Sequence, residues 1–385
     1  MPISLATNVE SLVQTAAQAA DQIAAMAADR DADRSLPTTE LDLLHQTGLT
    51  TATLPEDLGG DGLGAPDARH ALYRVLAQIG RGSLPVGRLY EGHVNALDLV
   101  MAYGTDRQRA RAADDAHAGH LFGVWNTEGA DGVTLVPSVE GASMRGAKVF
   151  CSGAGHVSRA FANGRWQAPG APQDGAWQMA LVPLDGRQDR AVPDSWAAEG
   201  MRASVSGRVS FEGIALDAEA LVGVPDAYTT EPDFTGGAVR FAAVHLGGAE
   251  ALVAAAADHL QQSGRDTDPH QRRRMGEAAI ALETGALWLL GAARLWEARA
   301  EPDAIVAYAQ MTRTAIERVC LDVMERVDRC VGARGLLPPS PIERIGRDLR
   351  LYLRQPAPDA TLDAAGAAAL LIPPPARGSA PHARA

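Results

Sequence analysis

The spacing of apolar residues changes twice along the 385-residue chain, and nothing else in the sequence restricts the fold as strongly. Between residues 5 and 34, Val9, Leu12, Val13, Ala16, Ala20, Ile23 and Met26 recur at helical spacing, which predicts a long amphipathic helix. Further helices are expected to about Ala118. One is opened by Pro37-Thr38-Thr39, and another has Thr105 as its candidate N-cap. Near Leu121 the pattern becomes short alternating runs, VTLVPSV, WQMALVPL and GRVSFEGIAL, separated by Gly, Asp and Pro, as strands require. Gly141 to Ser152 reads as a hairpin whose second strand, Ala147 to Cys151, alternates inward and outward, and Asn163 to Trp177 reads as a surface loop. From Gly237 helical spacing returns, over Val239–Ser263, Pro269–Arg299, Pro302–Val331 and Ile342–Leu353, enough for a four-helix bundle. The expected class is α+β: an N-terminal helical domain (1–120), a middle β-barrel domain (121–228), a C-terminal four-helix bundle (229–372) and a disordered tail (373–385).

A hydrophobic share of 46% suits large cores, and a formal charge of −12 argues against a nucleic-acid surface. No run of about 18 or more apolar residues is evident, so no membrane span is expected. The first residues lack the basic-then-apolar order of a secretory signal. Cys151, Cys320 and Cys330 form no metal or disulfide spacing, which fits a reducing cytoplasm. Cys320 and Cys330 fall in a helical pattern and are expected in the core.

Val331-Gly332-Ala333-Arg334-Gly335 is a glycine turn after a long helical run, and Pro338, Pro339 and Pro341 stop any helix before Glu343. A helix then carries Ile342, Ile345, Leu349, Tyr352 and Leu353 on one face until Pro356 and Pro358. Upstream, in order, stand LPEDLGGDGLG (Leu54 to Gly64), Tyr103-Gly104-Thr105-Asp106 and the run from Trp196 to Gly223. Together these segments resemble the acyl-CoA dehydrogenase superfamily from about residue 35 to 358. The resemblance implies an FAD-dependent oxidoreductase, assembled as a homodimer or homotetramer through the C-terminal bundle. By the same resemblance Asn126 and Thr127, in Val124-Trp125-Asn126-Thr127-Glu128, would contact the isoalloxazine. Lys148 to Gly153 looks like the family's "K-W-I-T-N" strand, so Phe150 takes the tryptophan's place beside the flavin and Ser152 that of the threonine reaching N5. Arg265 keeps the leading position of the segment that grips the pyrophosphate from a neighbouring subunit, with Arg272, Arg273 and Arg274 following. Arg329, Gly332 and Gly335 belong to the region that contacts the adenosine half.

The family's catalytic glutamate falls on Pro356, and a proline cannot accept a proton. The start of the first C-terminal helix, GGAVRFAAVH, offers Arg240 and His245 but no carboxylate. Glu91 and His93 interrupt an apolar stretch that the resemblance places beside the substrate cavity, and they are the candidate acid/base pair. A capping glutamate and a surface histidine are the alternative. Asp359 is a further candidate base, or the N-cap of a Thr361 to Leu371 helix. No metal site is indicated. Three readings stay open. The first is an FAD-dependent dehydrogenase with a displaced base, acting on an acyl thioester of CoA or a carrier protein, or on a related carbonyl-activated CH–CH bond. The second is a flavin-dependent monooxygenase of the same fold, and the third a non-catalytic binding or assembly subunit.

Overall fold

The computed structural model describes residues 3–354 and 357–371. Pro356 and the tail after residue 372 lie outside the described residues. The N-terminal region is helical: α1 (Ile3–Asp33), α2 (Thr38–Gln46), α3 (Arg69–Gly82), α4 (Leu84–Tyr103) and α5 (Asp106–His117). Thr105 caps α5 reciprocally with Gln108, in which each side chain accepts from the other's backbone N–H. Gln108 then donates to the carbonyls of Glu219 and Leu221, fastening this helix to the β domain.

The strands are β1 (Phe122–Trp125), β2 (Thr134–Pro137), β3 (Gly141–Arg145), β4 (Ala147–Cys151), β5 (Arg159–Trp166), β6 (Trp177–Pro183), β7 (Gly207–Ser210), β8 (Ile214–Asp217) and β9 (Leu221–Val222). Seven form one sheet, ordered β8-β3-β2-β5-β6-β9 with β1 also on β5, while β4 and β7 form a separate ribbon. Trp125, Leu135, Ala160, Cys151, Val209 and Phe211, drawn from both sheets, share one core, so the two nearly close into a barrel.

Three sequence expectations change here. Gly141 to Ser152 is not a hairpin, because β3 pairs with β2 and β8 whereas β4 pairs with β7. Nor does β4 alternate cleanly: its register slips between Lys148 and Cys151, a bulge that leaves Phe150 at φ +56 and 56% exposed. The loop expected from Asn163 to Trp177 is shorter, since both of those residues are paired inside β5 and β6.

After α6 (Asp233–Gly236) come α7 (Ala238–Gln262), α8 (Pro269–Glu297), α9 (Pro302–Gly335), α10 (Pro341–Tyr352) and α11 (Pro358–Leu371). α9 breaks its helical course at Gly332, whose φ of +63 suits glycine. Asp359 sits in the first turn of α11 and does not precede it as a cap. Cys151, Cys320 and Cys330 are all buried free thiols. Two stretches, Asp233–Gln262 and Pro269–Glu297, are long and apolar enough by composition to cross a membrane, but the first is a core helix of the fold.

The two helical regions do not keep separate cores. One apolar cluster runs through α1, α3, α4, α7, α8, α9 and α10. Where α3 crosses α7, a β-carbon on Gly80 would stand 2.4 Å from the Val244 carbonyl oxygen, and one on Gly247 would stand 1.9 Å from that of Ala77. Only backbone without side chains allows this approach. The Arg-Asp pair of α10 binds the third region to this body. Arg347 pairs with Asp31 and Glu343, and buried Asp348 accepts the Met201 backbone N–H at 2.6 Å.

Candidate active site

Four polar side chains rise from one face of α4: Arg88, Glu91, Asn95 and Asp98, spaced three, four and three residues apart. Glu91 is 2% exposed and forms an ion pair with Arg88. Asp98 Oδ2 accepts from both Arg69 Nη1 and Arg240 Nη1, each at 2.8 Å, and Asn95 Oδ1 accepts from Arg240 Nη2 at 2.6 Å. Glu91, Asn95 and Arg240 open onto a cavity of about 390 Å³ whose other walls include Tyr228, Phe241 and Arg313.

His93 lies two residues from Glu91, about 200° around the helix, and belongs to a different environment. Its Nε2 meets the Thr50 carbonyl at 2.7 Å, and its Nδ1 accepts the Phe122 backbone N–H at 3.2 Å. An imidazole that donates from Nε2 and accepts at Nδ1 is neutral and has no nitrogen left for catalysis. Burial pushes its pKa down to about 4, opposed by the Thr50 contact and reinforced by His45. The proposed Glu91–His93 acid/base pair is therefore absent. His93 is a core histidine that fastens the N-terminal helices to the first strand, and Glu91 is held by Arg88.

Arg88 also stands near buried Tyr352, whose ring meets that of His245 edge to face with centroids 4.3 Å apart. The Tyr352 hydroxyl and His245 Nε2 are buried with no hydrogen-bond partner among the described residues. The Arg88 guanidinium lies near enough to ease ionisation of Tyr352, though not at hydrogen-bond geometry, and burial still dominates in raising that phenol. Burial, then the charges of Arg313, Arg88 and Arg354, push His245 down to about 3.

The residues expected at the flavin ring lie on β4 and just beyond the ends of β1 and β4. Lys148, fully buried, pairs with Glu128, whose other oxygen accepts the Val133 N–H at 2.9 Å, and this fixes the end of β1 against β4. Thr127 is exposed and its carbonyl accepts from Val149. Asn126 Oδ1 accepts the Asn163 N–H at 3.0 Å, while its buried Nδ2 has no acceptor at hydrogen-bond geometry. The exposed Phe150 ring meets Trp196 edge on, with centroids 6.1 Å apart. Ser152 Oγ lies 2.9 Å from Ser206 Oγ, which lies 2.7 Å from Ser204 Oγ, and Ser204 donates to the Met201 carbonyl at 2.8 Å. A carbonyl only accepts, so the three hydroxyl protons point inward along this chain. Ser152 thus turns an acceptor lone pair outward.

An exposed Phe150 ring against a half-buried Trp196, an amide N–H without an acceptor at hydrogen-bond geometry and an outward-facing hydroxyl acceptor fit a flat heterocycle with both acceptors and an N–H. Asn126, Thr127, Phe150, Ser152 and Trp196 would hold a flavin ring. The residues expected at its adenosine end take partners within the chain. Arg265 is exposed and donates to the Cys330 carbonyl at 3.3 Å. Arg329 pairs with Glu325, Arg273 with Glu277, and Arg274 donates to Gln271. Gly332 marks the α9 kink, and Gly335 ends that helix. Every one of these arginines has an intrachain partner, and none of the contacts described joins them to Asn126 or Ser152.

A helical pair of regions sharing one core, with a nearly closed β domain set between them in the chain, is the architecture of the flavoprotein dehydrogenases. The chain belongs to the acyl-CoA dehydrogenase superfamily: residues 8–120 match "Acyl-CoA dehydrogenase, N-terminal domain" and residues 239–353 match "Acyl-CoA dehydrogenase, C-terminal domain". It is 26% identical over 370 residues to a dibenzothiophene monooxygenase of Rhodococcus erythropolis, covering 86% of this chain and 87% of that one. It is 25% identical over 360 residues to the probable FMNH2-dependent monooxygenase SfnC of Pseudomonas putida, covering 87% and 88%. The fold superposes on FMN-bound TdsC from Paenibacillus sp. A11-2 with a TM-score of 0.82 at 22% identity, covering 92% of this chain and 96% of that one.

Proposed function

We propose that this protein is a flavin-dependent monooxygenase that uses reduced FMN, the second of the readings open from sequence. What supports this most is that, among the described residues, the groups near the cavity are poor proton acceptors: Glu91 pairs with Arg88, exposed Asp233 accepts from the Tyr103 hydroxyl, and His245 is pushed down to about 3. Dehydrogenation of a thioester needs a base within hydrogen-bond reach of the α-proton. The first turns of α7 present Arg240 and His245, and Glu91 is committed to Arg88. When bound, reduced flavin supplies two electrons to O2, so that one oxygen atom enters the substrate and the other leaves as water. No carbon base is required.

The protein's own residues have three tasks in this scheme. Ser152, whose proton is directed to Ser206, would offer an acceptor to the N5 hydrogen of a reduced flavin bound there. Phe150 and Trp196 would cover the ring. The Arg88–Glu91 pair presents a buried carboxylate to the cavity wall. The preference for FMN over the FAD expected from the family rests on the arginines of the adenosine region, all engaged within the chain, and on the cofactors named for SfnC and TdsC.

The test is to titrate the purified protein anaerobically with FMNH2, FMN and FAD, then add octanoyl-CoA to the flavin-loaded form. Preferential binding of FMNH2 is expected, with no bleaching of oxidised flavin by octanoyl-CoA. Rapid bleaching, or no binding of any flavin, would overturn the reading.

We also propose a homo-oligomer formed through α8 and α9, where Ile280, Leu287 and Leu321 are 70%, 56% and 44% exposed. Light scattering should report at least a dimer, and replacing Ile280 and Leu287 by Glu should give a folded monomer. A wild-type monomer at micromolar concentration would contradict it.

A further inference from the structure

The charged side chains lining the cavity of about 390 Å³ all have partners within the chain. Glu91 pairs with Arg88, Asp233 accepts from the Tyr103 hydroxyl, Arg240 gives its two terminal nitrogens to Asp98 and Asn95, and Arg313 donates to Thr361. Discrimination between ligands therefore falls to the neutral polar groups of the wall. Thr235 and Thr361 have given their hydroxyl protons to Glu231 and to the Ala357 carbonyl, which leaves them as acceptors. The Tyr228 hydroxyl donates or accepts by rotation. The Gln310 amide makes no side-chain hydrogen bond among the described residues, so either of its ends can face a ligand.

Asn95 has no such freedom. An arginine only donates, so the contact of 2.6 Å from Arg240 Nη2 assigns the accepting end of the Asn95 amide, Oδ1, to Arg240. Arg240 is itself 7% exposed and held by Asp98 at 2.8 Å, which keeps it from following a turn of the amide. The other end of the amide, Nδ2, carries two donors and makes no hydrogen bond among the described residues, while Asn95 stands half-buried in the cavity wall. A guanidinium on Oδ1 also draws electron density from the amide and strengthens its N–H groups as donors. Leu99, Phe234 and Phe241 supply apolar surface in the same cavity. A ligand without an acceptor would press hydrocarbon against Nδ2, whereas an acceptor oxygen there would satisfy it.

We propose that Asn95 is the specificity-determining residue of this cavity, and that the substrate is an uncharged, largely apolar organic molecule whose acceptor oxygen, of the carbonyl kind, takes a hydrogen bond from Asn95 Nδ2. The proposal rests on the oxygenase reading only in taking this cavity as the substrate site.

The experiment uses the full, flavin-free chain and equilibrium dialysis with acetophenone and with α-methylstyrene, which has the same shape but a methylene in place of the oxygen. Comparing the ratio of their two dissociation constants between wild type and variants removes the difference in hydrophobicity between the probes. The ratio should move about tenfold against acetophenone in Asn95→Leu, the worth of one hydrogen bond. It should move at least as far in Asn95→Asp, which keeps an oxygen for Arg240 but puts an acceptor where the donor was. A residue that merely supported Arg240 would leave the ratio unchanged in Asn95→Asp. Circular dichroism confirms that each variant is folded. In the wild type the infrared carbonyl stretch of bound, isotope-labelled acetophenone should lie below its position in hexane, a reading that needs no variant. An unshifted band, an unchanged ratio in either folded variant, or no binding of either probe would each overturn the proposal. FMN titrated into the same preparation separates the two readings. A shifted band without flavin binding removes the oxygenase reading and leaves this one, and flavin binding with an unshifted band does the reverse.

Discussion

Between pH 6.5 and about 4 the folded protein is expected to lose several kcal/mol of stability, with His93 alone accounting for about 3 kcal/mol. His93 and His245 are both buried and neutral, with pKa values pushed down to about 4 and about 3. An unfolded chain protonates them near pH 6.5 and the folded chain does not. The unfolded state therefore binds more protons across this window, and stability falls as pH falls. Asp348 works in the opposite direction, because burial raises its pKa to about 6 and the folded state takes up its proton first. Its shift is smaller than either imidazole's, and the imidazoles prevail. Urea unfolding at pH 7, 5.5 and 4.5 measures the slope, which His93→Gln should flatten. A level profile, or a His93→Gln variant with the full slope, would refute the neutral assignment of this histidine.

The second large effect concerns Glu91. Replacing it by Ala leaves Arg88 buried without its carboxylate, at a cost of about 3–5 kcal/mol, whereas the double change Arg88→Met with Glu91→Leu should cost far less because no stranded charge remains. A thermal melt of the three proteins decides the matter. If Glu91→Ala melts like the wild type, the pair is not the buried clamp described here, and Glu91 is free to act as the base that sequence reasoning wanted. Turnover per folded molecule in the double variant then distinguishes a structural from a chemical role.

The fold was largely legible because its elements are long and strongly periodic. The helices from Val239 to Leu353 appear nearly where their apolar spacing puts them, and Thr105 caps α5 as its residue type suggested. What failed was local. Pairing partners are non-local, so nothing in Gly141 to Ser152 shows that its two strands join different sheets. The bulge at Phe150 likewise depends on β7. Within the site, the error over Glu91 and His93 was one of period: two polar residues separated by one suggested a lining, while a helix brings together Arg88, Glu91, Asn95 and Asp98. That spacing was present in the sequence and would have found the cavity face. Ser204 and Ser206 gave no such signal, since their alignment with Ser152 comes from the turn after Met201. The shared core of the two helical regions was invisible for a related reason, because glycines reveal a close crossing only once both helices are placed.

That crossing also dictates an order of events during synthesis. α3 leaves the ribosome with Gly80 and its apolar neighbours ready, but the partner surface of α7 follows roughly 150 residues later, a delay on the order of ten seconds or more at ordinary elongation rates. In that interval the β domain, whose strands all lie between the two helices, can complete its own core. The first half of the chain then holds an uncovered groove shaped for a helix that has not yet been made. Nascent chains stalled short of residue 238 are thus the form of this protein most exposed to aggregation and most in need of a chaperone.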